Sequence, residues 1–180
     1  ANAAVRAGVR SIEHGTYLDD ATLALMKKQG TYFVPTLAIM SPMGDPKGDS
    51  AEAVALQIRT QHMMKPLRDA VRKARALGIT VAAGTDGSYG DGDDSARVRP
   101  GHEIAELVAC GYTPLEAIAA ATHNAARVLG IERRTGSVAV GMEADLLVID
   151  RDPRGDVTTL LEPMLVMSNG KVVLDRLGQR

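Results

Sequence analysis

The chain has 180 residues, 45% of them hydrophobic, with 21 basic against 22 acidic side chains and a net charge of -1. That is enough apolar material for a real core in one or two domains. The near-neutral charge and an aromatic fraction of 3% leave neither the field nor the rings on which nucleic-acid binding draws, so no nucleic-acid partner is expected.

The first residues, Ala3 to Gly8, read as the last turns of a helix with Gly8 as its stop, and with no initiator methionine the chain is expected to begin in mid-fold. Val9 to Glu13 then forms a short strand that runs into His14 and Gly15. Asp19 or Asp20 caps the next helix, which runs through Leu23, Leu25 and Met26 to Lys27 and Lys28 and stops at Gly30. Thr31 to Ile39 is β-branched and aromatic, a second strand that Pro35 weakens by removing one ladder donor. The Pro, Gly and Asp residues between Ser41 and Ser50 predict a mobile loop. Ala51 to Leu77 is helical in pattern, bent or split near Pro66.

Ile79-Thr-Val-Ala-Ala-Gly-Thr-Asp86 is an apolar run that ends in small residues and one carboxylate, the pattern of a strand buried on both faces whose end alone meets solvent. A hairpin at Asp86-Gly87 would need a second strand straight after it, but Tyr89 to Pro100 is rich in Gly, Asp and Arg instead. From Gly101 a helix carries Ile104, Leu107 and Val108 on one side and stops at Gly111. Thr113-Pro-Leu-Glu116 combines a capping box with proline in the first turn and starts a helix that directs Leu115, Ile118, Thr122, Ala125 and Leu129 inward, ending at Gly130. Up to this point strands and helices alternate, and each crossover is long enough for parallel pairing. Beyond Gly130 four short strands are predicted: Ser137–Val140, Ala144–Asp150, Met164–Ser168 and Lys171–Asp175. Asn169-Gly170 closes the last two in a type I′ hairpin of a separate antiparallel sheet.

His14 and Asp86 stand at the ends of two parallel strands, which in a β/α barrel share the C-terminal mouth where active sites collect. They supply either one imidazole and one carboxylate to a divalent metal or a base and its orienting partner; as an isolated residue, His14 is more often a satisfied packing histidine than a ligand. His102 opens the helix after Asp86, either as an ordinary first-turn residue or as a substrate contact. His62, beside Met63 and Met64, reads as a surface or packing residue, and His123 as a helix-end hydrogen-bonding group. Asp91 to Asp94 lacks the spacing and closing glutamate of an EF-hand. Cys110 has no internal partner and reads as a small core residue. No apolar run approaches the ~20 residues of a membrane span, and no secretion signal opens the chain, so a cytoplasmic location without a membrane partner is expected.

Ser11-Ile-Glu-His14-Gly, Ala83-Gly-Thr-Asp86, Gly111-Tyr-Thr-Pro-Leu-Glu-Ala-Ile118 with Thr122-His-Asn-Ala-Ala126, and Gly136 through Asp145-Leu-Leu-Val together resemble the amidohydrolase superfamily. The resemblance is greatest to the branch of imidazolonepropionase-like enzymes and metal-dependent Xaa-Pro or Xaa-Arg dipeptidases. It implies an α/β fold, an incomplete (β/α)8 barrel contributing the last three βα units over residues 1–134, followed by a small antiparallel β-sandwich segment over 135–180. It also implies a divalent metal, zinc above all, at the mouth. His14 matches the metal-binding histidine of the sixth barrel strand, and Asp86 matches the eighth-strand aspartate that binds metal and takes a proton from the attacking water. His102 falls near a substrate-binding position. In this family the remaining ligands, a His-x-His pair, a bridging lysine or glutamate and a further histidine, lie on strands that precede the part matched here.

The expected function is therefore hydrolysis of a C–N bond in a small amide or dipeptide by metal-activated water. The barrel would be completed by a complementing N-terminal segment or a second copy, as a homo-oligomer. Two alternatives stand beside it: a truncated non-catalytic protein that self-associates through its exposed barrel face, and a metal-independent esterase using Ser88, for which no Gly-x-Ser-x-Gly elbow is present.

Overall fold

A computed structural model describes residues 1–43, 50–87 and 100–178. The first helix, α1 (Asn2–Arg6), leads through Gly8, at a φ of 84°, into strand β1 (Ser11–Glu13). Helix α2 (Asp20–Gln29) starts where expected: Asp19 Oδ1 accepts the Thr22 amide at 2.7 Å, and this bonding from Thr22 holds the carboxyl below its ordinary range. Gly30 ends α2 in the left-handed conformation, and β2 (Tyr32–Val34) pairs in parallel with β1, Ile12 opposite Phe33.

Here the structure departs from the sequence expectation, because β2 ends at Val34 and does not reach Ile39. Pro35 breaks the ladder, Thr36 turns into the left-handed region at a φ of 52°, and Leu37–Met43 forms a helix, α3. A helix start leaves amides without intrahelical partners, and the Ala38 amide finds the Glu103 carboxylate, 2.6 Å away and 65 residues on. The predicted loop from Ser41 therefore begins inside α3, and its residues 44–49 lie outside the described residues, as do residues 88–99 with Ser88 and the Asp91–Asp94 run.

Helix α4 (Ala51–Ala76) is one element with Pro66 inside it, not two. Its C-terminal half buries Leu67, Ala70, Val71 and Ala74, while Val54 and Ile58 are exposed. The following apolar run is extended but makes, among the described residues, a single parallel bridge, Val81 to Phe33. The Phe33 amide donates to the Thr80 carbonyl at 3.1 Å, and the Ala82 amide to the Phe33 carbonyl at 2.9 Å. Phe33, Leu23, Met26, Leu37, Leu67, Val71 and Leu107 are essentially inaccessible and form one core between this parallel layer and its helices, with Cys110 buried beside them as expected.

Helix α5 (Pro100–Ala109) precedes Gly111, and the predicted capping box at Thr113 is present in both directions: the Thr113 amide donates to Glu116 Oε2 at 2.7 Å, and the Glu116 amide to Thr113 Oγ1 at 3.2 Å. The helix it starts is not uniform. α6 (Pro114–Ala119) widens into a π-helical turn, Ala120–Asn124, before α7 (Ala125–Leu129). The wide turn shifts the register of α7 against α6; contrary to the 3.6-residue pattern, Leu115, Thr122 and Leu129 are exposed and Ala117, Ala120 and Ala126 are buried. It also changes what the backbone can reach. The Ala120 carbonyl accepts the Ala83 amide at 2.9 Å, and Asn124 Nδ2 donates to the Val81 carbonyl at 2.9 Å. Asn124 thus takes the bonding role expected of His123, which is exposed and has no hydrogen-bond partner among the described residues.

The second sheet is antiparallel in the order β3 (Leu146–Val148), β4 (Leu165–Ser168), β5 (Lys171–Asp175). Asn169 and Gly170 both have positive φ, 48° and 75°, as a type I′ turn demands. Ser137–Val140 is not a strand; Val138 and Val140 are almost wholly exposed, and no strand lies beside them to supply ladder partners among the described residues. Asp145 ties this part together, accepting Thr135 Oγ1 at 2.7 Å and the Asn169 amide at 2.8 Å. The sheet meets the helical layer through a 3₁₀ turn, Val157–Leu161, seated on α5 so closely that a Cβ on Gly101 would stand 2.8 Å from Leu161 Cδ2. Among the described residues no helix is long and apolar enough to cross a membrane.

Replacing Asn124 by Ala leaves the buried Val81 carbonyl without its side-chain donor. A loss of about 1–3 kcal/mol is expected, read as a lower urea midpoint with an unchanged slope.

Candidate active site at the strand ends

Parallel pairing gives β1, β2 and the Val81 segment a common direction, so the chain leaves all three at one rim. The first residues off the strands are the candidate site residues. His14 follows β1 and stays in the ladder through its amide, which donates to the Val34 carbonyl at 2.9 Å. Asp86 follows the third segment. His14 and Asp86 are both exposed.

Three non-glycine residues on this rim adopt left-handed backbone: His14 at a φ of 60°, Thr36 at 52° and Asp86 at 49°. Such conformations cost of order 1–3 kcal/mol each and persist where the surroundings dictate them. At Asp86 the turn is shaped by Thr85, whose Oγ1 accepts the Gly87 amide at 3.3 Å. Gly84 allows the third segment to lie against β2, because a Cβ there would come within 2.6 Å of Val34 Cγ1. Gly15 does the same beside His14, where a Cβ would meet the Phe33 ring at 2.6 Å and the φ is 63°.

The ring of His14 is held from the turn that follows β2. Its Nδ1 is 2.8 Å from Thr36 Oγ1, and that hydroxyl in turn donates to the Pro35 carbonyl at 2.7 Å. His102 lies in the first turn of α5, half-buried, next to Glu103.

Glu103 and Thr36 are the residues sequence reasoning missed. An acid in a first helical turn reads as a partner of the helix dipole, yet Glu103 is fully buried and clamps α3 through its Oε2, while its Oε1 has no hydrogen-bond partner among the described residues. Burial pushes its carboxyl up to about 7; the amides of Ala38, Leu37 and Thr36 pull the other way, and the charge of Glu106 adds to the rise. The available signal was its place between His102 and the apolar Ile104. For Thr36 the signal was the preceding proline, which ends a strand just where a rim residue begins.

An imidazole and a carboxylate fit a divalent metal in kind. In number they fall short, because a catalytic zinc site uses about three protein ligands, and among the described residues no group of three or more His, Cys, Asp or Glu could hold an ion.

Parallel strands backed by helices, with an imidazole and a carboxylate at their C-terminal rim, define an α/β protein. The chain belongs to the amidohydrolase family, whose profile matches residues 1–173. Ochratoxinase from Aspergillus niger is 33% identical over 168 residues, 91% of this chain and 33% of that protein. Imidazolonepropionase from Chromobacterium violaceum is 34% identical over 146 residues, 79% of this chain and 29% of its own length. The crystal structure of a Xaa-Pro dipeptidase with methionine bound in its active site superposes with a TM-score of 0.79 at 30% identity, covering 94% of this chain and 41% of that one. The chain thus spans about a third of the length of the first of these relatives, and its α/β fold is part of the barrel they share.

The raised carboxyl of Glu103 makes stability depend on pH. Its folded value, about 7, lies above the ordinary 4.5, so its contribution is fully present below pH 4.5 and is lost as pH rises through 7. The loss is on the order of 3 kcal/mol between pH 4.5 and 8. Glu103→Gln keeps an oxygen for the Ala38 amide and removes the ionisation, so its urea midpoint should change less over this range than that of the parent.

Proposed function

We propose that this chain carries the C-terminal part of a metal-dependent amidohydrolase that cleaves a C–N bond in a small amide or dipeptide. Residues 1–134 would contribute the last three of eight βα units, and residues 135–180 part of a β-sandwich. The observation that carries the reading is the rim itself: His14 and Asp86 leave parallel segments at the same end, each on left-handed backbone. His14 and Asp86 would hold the ion, zinc in the first instance, and His102 would contact the substrate. The names of the relatives support the substrate class, since a Xaa-Pro dipeptidase is among them.

When bound, the ion supplies Lewis acidity that makes water nucleophilic near neutral pH. Asp86 accepts the proton that the attacking water gives up and returns it to the departing nitrogen, a task suited to an exposed carboxylate at a strand end. His14 contributes a neutral nitrogen ligand without adding negative charge to the site. The other ligands would come from a complementing N-terminal segment or a second copy.

Metal content and hydrolysis of a panel of dipeptides and N-acyl amino acids test the proposal. With the complementing barrel segment supplied, the protein should take up a divalent metal and hydrolyse at least one member of the panel. Asp86→Asn should lower the rate by at least ~100-fold with circular dichroism unchanged. No metal and no turnover under those conditions would overturn the reading.

A further inference from the structure

The contact between His14 and Thr36 contains more information than its length. A hydroxyl has one hydrogen to give. At Thr36 that hydrogen is directed to the Pro35 carbonyl, 2.7 Å away, and a carbonyl oxygen can only accept. Thr36 Oγ1 is therefore left with its lone pairs toward His14, 2.8 Å from Nδ1. Two acceptors cannot share a hydrogen bond, so Nδ1 must be the donor.

We propose that Thr36 is a positioning residue that holds neutral His14 as the Nδ1–H tautomer, leaving Nε2 as the unprotonated nitrogen that binds a ligand. The three-membered chain Pro35 carbonyl, Thr36 hydroxyl, His14 imidazole is directional throughout, and every donor in it is used once.

The surroundings show why Thr36 can perform this role. It is 5% exposed, so water does not compete for the hydroxyl. Its φ of 52° is an outlier for a β-branched residue, and it is trapped there from both sides. Pro35 is buried behind it, and the Glu103 carboxylate grips the Ala38 amide two residues ahead. The strain sets the hydroxyl beside a residue 22 positions earlier in the chain, on the neighbouring strand end. Histidines that bind metals through one nitrogen commonly donate the other N–H to an oxygen acceptor, and losing that partner typically weakens metal affinity by about 10–100-fold. The meaning of the bare Nε2 rests on the proposed role of His14 as a metal ligand; the tautomer itself does not.

The two can be separated experimentally. In protein labelled with ¹⁵N at histidine, long-range ¹H–¹⁵N correlation spectra distinguish Nδ1–H from Nε2–H. Spectra are recorded at about pH 8.5, two units above the usual imidazole range, and His14 is assigned by its absence in His14→Gln. The parent protein and Thr36→Ser, which retains the hydroxyl, should show Nδ1–H at His14. Thr36→Val, which keeps the β-branch and loses the hydroxyl, should show Nε2–H or a mixture. Nε2–H in the parent overturns the proposal without reference to any variant, as does a Thr36→Val spectrum like that of the parent. Titration with Zn²⁺ on the same samples, with the complementing barrel segment supplied, then reads the metal role: about 10–100-fold weaker binding is expected for Thr36→Val and near-parent binding for Thr36→Ser. A parent that shows Nδ1–H but takes up no Zn²⁺ supports the tautomer and counts against the metal-dependent function alone.

Discussion

The hydrogen bond from the Ala83 amide to the Ala120 carbonyl decides where the third parallel segment lies. That segment has one bridge to β2 and no strand on its other side among the described residues, so its outer amides and carbonyls need partners from elsewhere. A regular α-helix keeps its own carbonyls occupied. The π-helical turn releases one, and Asn124 adds a side-chain donor for Val81. Thr122 assists locally, its hydroxyl donating to the Ile118 carbonyl at 2.8 Å. Helix and strand are thereby joined by backbone chemistry rather than packing alone. Asp86, five residues beyond Val81, inherits its position from that junction.

The rim repeats one solution. A strand end in a parallel layer must turn sharply to clear the next element, and glycine is the inexpensive way to do so. His14, Thr36 and Asp86 accept the same turn with side chains attached. Gly15 and Gly84 remove atoms where the segments approach β2, which keeps the strained residues against a closely packed floor of Phe33 and Val34. Strain at the rim is thus sustained by tight contact beneath it. Glu103 acts from the far side, since its buried carboxylate holds the start of α3 and with it the conformation of Thr36.

One end of the parallel layer presents the imidazole of His14 and the carboxylate of Asp86, while the small antiparallel sheet, packed on α5 through Val157–Leu161, presents apolar side chains such as Val172 and Val173 to solvent. Relatives of two to three times the length carry the same part within a larger whole.

Local signals in the sequence were sufficient for the capping box at Thr113, the Asp19 cap, the glycine stops and the Asn169-Gly170 hairpin, because each depends on atoms within a few residues. The four motifs were also sufficient for the family, since motif order survives without coordinates. The early end of β2, the π turn and the exposure of Leu115 and Leu129 were decided only in three dimensions. An intrahelical pattern cannot reveal that a carbonyl will be claimed by a strand edge. His14 and Asp86 were legible as candidates from their places at strand ends. Thr36 and Glu103 were not, because a hydroxyl or a carboxylate acquires its task from partners 22 and 65 residues away, and only the folded chain brings those atoms within hydrogen-bond reach.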